Sequence, residues 1–261
     1  MSSGDYRGSF VWYELMAKDP KAAQAFYTKV VGWGTQPFEG GGMPYTMWTR
    51  DGQPLGGLME QPEEQRKAGA PPSWLAYIGT PNVDETVAQA KKLGAAVHVP
   101  PQDIPTVGRF SVLADPQGAV FAVFTPLPSS TSRPEGPPQI GDISWHELAT
   151  TDHAAAFRFY STLFGWEKDQ AMDMGPAGVY QIYKRGAQQL GGIYNKPPDM
   201  PFPPHWLLYA RIPDVHKGAE VVKSLGGKVL NGPMEVPGGG WIVQCLDPQG
   251  AAFALHHEKK A

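Results

Sequence analysis

The chain is one unit written twice. Asp-Pro-Gln-Gly stands at 115–118 and again at 247–250, 132 positions apart in a chain of 261. Trp12, Glu14, Leu15, Asp19, Phe26, Tyr27, Gly32 and Trp33 recur 133 positions later as Trp145, Glu147, Leu148, Asp152, Phe159, Tyr160, Gly165 and Trp166. Pro72, Trp74, Leu75, Tyr77, Val83, Gly94 and Val97 recur 132 positions later as Pro204, Trp206, Leu207, Tyr209, Val215, Gly226 and Val229. The duplication predicts two domains of one design, and roughly 130 residues can bury a core without covalent staples. A residue kept in both copies serves a role both need, most often packing. A residue found in one copy only is where function can have diverged.

The stretch 125–139, TPLPSSTSRPEGPPQ, is almost all Pro, Ser, Thr and Gly. It reads as a linker between a first domain at 1–124 and a second at 140–261. A single cysteine, Cys245, excludes an intrachain disulfide and suits a reducing, cytoplasmic setting. The first residues carry no apolar stretch of the signal-peptide kind, and no run has the ~18–20 apolar residues of a membrane span. Net charge is −3 with both signs scattered, so neither nucleic acid nor membrane is an expected partner. A small-molecule ligand is expected, in a monomer or homodimer.

Within copy one, Phe10–Lys18 reads as a strand. Asp19-Pro20 then starts a helix, with a capping carboxylate and proline at the first helical position. That helix carries Ala22, Ala23, Phe26, Tyr27 and Val30 at helical spacing and stops at Gly32. Three short strands follow, near 34–38, 45–49 and 55–60. A strand over 72–79, a helix over 83–93 and three more strands repeat the order. Copy two runs through the same series. The chain is therefore α+β, with four β-α-β-β-β modules.

Modules of this order, with D-x6-F-Y-x4-G-W at Asp19–Trp33 and Asp152–Trp166 and a closing D-P-Q-G-A-x-F-A at each end, resemble the vicinal oxygen chelate superfamily. That family includes glyoxalase I, bleomycin-binding resistance proteins, fosfomycin-modifying enzymes and extradiol dioxygenases. The tandem form, with W-x-E-L on both first strands, is similar to an actinobacterial group that includes a mycobacterial secreted antigen. The resemblance implies two eight-stranded open cups with helices outside, each cup holding a metal or ligand. It leaves open whether a cup forms within each copy or by exchange of modules.

In metal-using relatives the resemblance places ligands on the first strand, at the start of the second module's first strand, and seven residues after the Asp of D-P-x-G. Those places here hold Trp12, Trp74 and Ala122, then Trp145, Trp206 and Ala254. A further acidic ligand in some relatives falls near Leu58 or Ile193, also apolar. Metal ligands are normally His, Cys, Asp or Glu. The expected cofactor set is therefore none, with a divalent metal in the second cup, on Glu147 and His256, as the alternative. His256 lies two residues beyond the usual ligand place. His205 and His146 have outward parity, and the C-terminal His-His-Glu-Lys-Lys otherwise reads as solvated.

Strand alternation puts Trp12 and Glu14, Trp74, and Ala122 inside cup one. The same reading puts Trp145 and Glu147, Trp206, Ala254 and His256 inside cup two. Aromatic walls with few polar groups suit a flat or greasy small molecule. Glu14 and Glu147 have two readings: carboxylates raised in pKa by desolvation and ready to act as bases, or structural groups held by hydrogen bonds. Trp33 and Trp166 read as core, and the Asp-Pro-Gln-Gly segments as turns without chemistry. Two functions follow: metal-free binding of an aromatic or hydrophobic compound, or an enzyme of glyoxalase, lyase or oxygenase type with Glu147 or Glu14 as base. The sequence leaves open whether the protein is an enzyme at all.

Overall fold

A computed structural model describes residues 6–40, 44–127 and 136–258. Copy one contributes strands β1 (Phe10–Ala17), β2 (Gly34–Pro37), β3 (Thr46–Arg50), β4 (Gln53–Glu60), β5 (Ser73–Gly79), β6 (Ala96–Ile104), β7 (Gly108–Ala114) and β8 (Val120–Pro126). Its helices are α1 (Pro20–Val30), a short α2 (Glu63–Lys67) and α3 (Val83–Lys92). Copy two contributes β9 (Ile143–Thr150), α4 (His153–Phe164), β10 (Glu167–Asp173), β11 (Val179–Arg185), β12 (Gln188–Asn195), β13 (His205–Arg211), α5 (Val215–Ser224), β14 (Lys228–Glu235), β15 (Trp241–Leu246) and β16 (Ala252–His257). The fold is α+β, as the module pattern predicts. The short α2 and a single 3-10 turn at Gly175–Ala177 carry no periodic signal in the sequence. Thr125 and Pro126 close β8, so they are not linker, and 128–135 lie outside the described residues.

The helices start and stop for local reasons. Asp19 caps α1 by accepting from the Ala22 amide, with Pro20 at the first position, where no backbone donor is needed. Asp152 caps α4 twice over, from Ala154 and Ala155. Gly165 ends α4 at φ +72°, a left-handed position that glycine adopts without a Cβ penalty. The backbone hydrogen bonds of α3 and α5 begin in the same way, on Asn82 and Asp214.

Strand pairing gives two open eight-stranded sheets, in the orders β2-β3-β4-β1-β5-β8-β7-β6 and β10-β11-β12-β9-β13-β16-β15-β14. Each sheet is drawn from one copy. Compact packing divides the chain differently. One unit comprises Met1–Trp12, Leu75–Arg133 and His146–Trp206, and the other Tyr13–Trp74, Pro134–Trp145 and Leu207–Ala261. Each unit thus combines the first module of one copy with the second module of the other.

Within each unit the same latch joins its two modules. In the unit holding α1, Tyr27 donates to Asp247 Oδ2 at 3.1 Å and accepts from Trp74 Nε1 at 3.0 Å. Gln249 pairs with both backbone groups of the cap residue Asp19, at 2.8 and 2.9 Å. In the unit holding α4, Tyr160 donates to Asp115 Oδ2 at 3.0 Å and accepts from Trp206 Nε1 at 3.2 Å. Gln117 there accepts from the Asp152 amide and donates to the Asp152 carbonyl. The Asp-Pro-Gln-Gly segments are turns, with Gly118 at φ +100° and Gly250 at φ +98°. They also do more than turn: Asp holds the tyrosine and Gln holds the helix cap of the other copy.

Aromatic clusters surround the latches. Tyr27 meets Trp33, Trp48, Trp74 and Phe253 with ring centroids 5.2–6.0 Å apart. Tyr160 meets Phe121, Trp166 and Trp206 at 5.2–5.6 Å. Pairs in this range add about 0.5–1.5 kcal/mol each beyond area burial. Trp33 and Trp166 are core, as read from sequence.

Candidate functional site

On β1 and β9 the residues flanking the glutamates are buried. Tyr13, Leu15, His146 and Leu148 are packed away from solvent, whereas Trp12 and Trp145 are half-buried. His146, read as facing away from the cup toward the helix layer or solvent, is in the core. Its ring stacks on Phe10 at 3.6 Å and its Nδ1 bonds the Leu190 carbonyl at 2.8 Å. Glu14 and Glu147 lie on the other face with their side chains largely buried.

Each glutamate meets a tyrosine. Tyr45 donates to Glu14 Oε2 at 2.8 Å, and Tyr180 donates to Glu147 Oε2 at 3.0 Å. A glycine makes both contacts fit. A Cβ on Gly57 would lie 1.8 Å from the Tyr45 hydroxyl, and one on Gly192 2.0 Å from the Tyr180 ring. The repeated Leu-Gly-Gly of 55–57 and 190–192 was the sequence signal for these pairs, because paired glycines inside a strand mark close approach. The tyrosines themselves were missed. Copy two adds Tyr194, whose ring stacks on Tyr180 at 5.9 Å. Burial first, then the neighbouring Glu147 charge, pushes the Tyr194 hydroxyl well above its ordinary pKa. The matched position in copy one is Met59.

The second-module strands correct the expected parity. Trp74 and Trp206 do not share the glutamate-bearing face. They lie on the helix side, with their indole N–H groups on Tyr27 and Tyr160. The opposite side of these strands carries Leu75 and Tyr77, and Leu207 and Tyr209. Tyr77 packs against Phe110 and Phe124 at 6.1 and 6.5 Å. Leu207 and Tyr209 cluster with Ala254, and Trp145 and Ile242 pack against them. Ala122 pairs with Tyr77 in register and Ala254 with Tyr209. His205, read as outward, has the parity of Leu207 and Tyr209. Its Nδ1 bonds the Pro203 carbonyl at 2.8 Å, and burial lowers its imidazole pKa.

The last histidines are structured rather than solvated. His257 Nδ1 accepts from the Val215 amide at the start of α5. His256 Nδ1 lies 2.9 Å from Ser144 Oγ, and burial lowers its pKa too. Cys245 is buried and its thiol is pushed up to about 12, so it is not poised as a nucleophile.

A family model for the glyoxalase/bleomycin resistance protein/dioxygenase superfamily matches residues 9–123 and 142–255. The chain belongs to this superfamily. Among its relatives, the anthracycline biosynthesis protein DnrV of Streptomyces peucetius is 28% identical over 95% of this chain and 92% of its own. CFP32 of Mycobacterium tuberculosis, described provisionally as a glyoxylase, is 40% identical over 46% of this chain and 45% of its own. The fold is shared with a Mn(II)-bound glyoxalase from Novosphingobium aromaticivorans, at a TM-score of 0.64 and 18% identity over 98% of this chain and 83% of that one. It is also shared with 2,2',3-trihydroxybiphenyl 1,2-dioxygenase of Sphingomonas wittichii, at 0.63 and 15% over 97% and 90%.

The superfamily raises the question of a resident metal, and the side chains here do not fit one. The expected ligand places carry indoles and methyl groups. Glu14 and Glu147 each have an oxygen engaged by a tyrosine, and the Nδ1 atoms of His146, His205, His256 and His257 are all bonded. Among the described residues no group of three His, Cys, Asp or Glu side chains is placed to hold a metal ion. Nor is any described helix long and apolar enough to cross a membrane.

Proposed function

We propose that this protein binds a flat, largely apolar small molecule on the glutamate-bearing faces of its sheets, without a metal. The carrying observation is the half-buried Trp145 seated on Leu207, Tyr209 and Ala254. An indole held over an apolar floor offers a stacking surface at low entropic cost. The half-buried Trp12, Phe110, Phe124, Tyr180 and Tyr194 extend the same chemistry. The end-to-end match to proteins named for anthracycline biosynthesis supports a polycyclic aromatic as ligand. The apolar residues at the expected ligand places support metal-free binding. The test is titration with 2-methoxynaphthalene, followed by quenching of tryptophan fluorescence and by calorimetry, with metal analysis of the same sample. Saturable binding that chelators leave unchanged is expected. One equivalent of metal per chain, lost in Glu147→Ala or His256→Ala, would overturn the metal-free reading, and absence of saturable binding would overturn the ligand class.

A second reading, proton-transfer catalysis with Glu147 as base, has one observation in its favour. Copy two alone sets Tyr194 beside the Glu147–Tyr180 pair, an arrangement able to relay or hold a proton. Glu147→Gln separates the two readings. Loss of a measured turnover by ~100-fold or more with affinity intact supports catalysis, and intact turnover removes Glu147 as the base.

A further inference from the structure

Copy two carries a polar group where copy one is apolar. Ser144, Gln244 and His256 occupy the places of Val11, Val112 and Phe124. The correspondence is structural as well as sequential. Ile242 pairs with His256 in register as Phe110 pairs with Phe124, and Gln244 pairs with Ala254 as Val112 with Ala122. A Cβ on Gly240 would lie 3.0 Å from His256 Nε2, and one on Gly108 2.6 Å from the Phe124 ring. The imidazole therefore lies where the phenyl ring lies, beside the glycine at the start of the neighbouring hairpin arm: Gly108 opens β7, and Gly240 immediately precedes β15.

The hydrogen bonds define what this ring offers. Ser144 Oγ donates to the Tyr209 carbonyl at 3.3 Å and stands 2.9 Å from His256 Nδ1. A serine hydroxyl has one hydrogen. With that hydrogen on the carbonyl, Oγ accepts from Nδ1–H and Nε2 is the unprotonated nitrogen, an acceptor; with it on Nδ1, Nε2 carries the proton and donates. No hydrogen bond to Nε2 is formed among the described residues. Alongside, Gln244 Nε2 donates to the Tyr209 hydroxyl at 2.8 Å, so polar groups line the edge of the apolar patch made by Trp145, Leu207 and Ala254.

We infer that copy two, and not copy one, carries a subsite in which His256 Nε2 accepts a hydrogen bond from an aromatic hydroxyl of the ligand, with Ser144 holding the imidazole in the accepting tautomer. This rests on the reading that the protein binds flat aromatic molecules, and it narrows that class to phenols. An ether or a bare ring at the same place leaves the acceptor desolvated and unpaired, which is what gives discrimination.

The experiment compares 2-naphthol with 2-methoxynaphthalene by calorimetry on the full-length protein. The expected preference for naphthol is about tenfold, the scale for leaving one buried acceptor unpaired. A Ser144→Val/His256→Phe variant, which installs the copy-one residues, should bind both compounds about equally. Equal binding of the two compounds by the wild type, or a preference that survives in the variant, overturns the subsite and leaves aromatic binding standing. Failure of both compounds to bind the wild type overturns aromatic binding and the subsite together. If the variant does not fold, nitrogen-15 shifts of the histidines in the wild type decide instead. A pyridine-type Nε2 on His256 that shifts on adding naphthol supports the subsite, and a protonated or unresponsive Nε2 overturns it.

Discussion

Copy one and copy two differ least where the modules are joined and most where a ligand would lie. The Trp–Tyr–Asp latch is present in both compact units, with matching partners and distances within 0.2 Å. The glutamate–tyrosine pairs are likewise matched. By contrast Tyr194 replaces Met59, and Ser144, Gln244 and His256 replace Val11, Val112 and Phe124. The contrast has a physical basis. A buried carboxylate must be fully hydrogen-bonded or it costs several kcal/mol, so the latch tolerates little change. A half-buried face tolerates exchange of apolar for polar groups and is free to diverge.

The strongest way to break the comparison is to cut one latch at a time. Asp115→Ala strands the Gln117 and Ala119 amides and the Tyr160 hydroxyl, and Asp247→Ala strands their counterparts. Each should cost about 3–5 kcal/mol, read from urea unfolding, since several donors lose their acceptor at once. The two losses should agree within about 1 kcal/mol, the spread expected for matched sites. A large inequality would show that the units are not held alike.

A smaller effect should separate the copies. Tyr183 donates to the His146 carbonyl at 3.1 Å, whereas its counterpart Trp48 has a buried indole N–H without a partner among the described residues. Tyr183→Phe should cost about 1 kcal/mol, the net worth of one hydrogen bond, and Trp48→Phe should lose packing but no hydrogen bond. A double-mutant cycle between Tyr183→Phe and Trp166→Phe, whose rings stack at 4.4 Å, divides packing from hydrogen bonding in copy two.

The latch carboxylates also predict a sign for pH dependence. Burial raises the pKa of Asp115 and Asp247 above the ordinary 3.8. A carboxyl raised in the folded state contributes stability below pH 3.8 that is lost as pH rises through the folded value. Thermal melts of Asp115→Asn and Asp247→Asn should therefore gain on the wild type as pH rises through that window. A difference that stays flat or moves the other way would show that desolvation does not dominate at these sites.

The smallest effect is expected at the glutamates. Glu14→Gln retains one acceptor for Tyr45 and should change stability by about 1 kcal/mol or less. Glu147→Gln should match it in stability. A loss of ligand affinity confined to Glu147→Gln would make the copy-two face the functional one, a loss confined to Glu14→Gln the copy-one face, and equal effects would argue that the sites have not diverged.

Much of the fold was legible because its signals are local and repeated. Asp19 and Asp152 cap helices, Gly32 and Gly165 lie just past their ends, and the module order needs only periodicity and length. The phase of β1 and β9 was readable as well, because Trp-x-Glu alternates with Tyr13 and Leu15, and with His146 and Leu148, all of them buried. The β5 and β13 strands were not. WLAYIG and WLLYAR are apolar on both sides, so alternation supplies no phase, and the large tryptophans were assigned to the wrong face. The tyrosines facing Glu14 and Glu147 escaped for a related reason: the readable sign was the glycine pair opposite them, not the rings themselves.

The sequence by itself determined the duplication, the four modules and the superfamily. These follow from spacing and side-chain chemistry within a few tens of residues. Only the tertiary structure decided that Asp247 serves Tyr27 and Asp115 serves Tyr160, that each compact unit draws on both copies, and that Ser144 meets His256. Those contacts join residues 220, 45 and 112 positions apart. No local propensity carries that information; it arises when buried polar groups, brought together by packing, must find partners or stay out of the core.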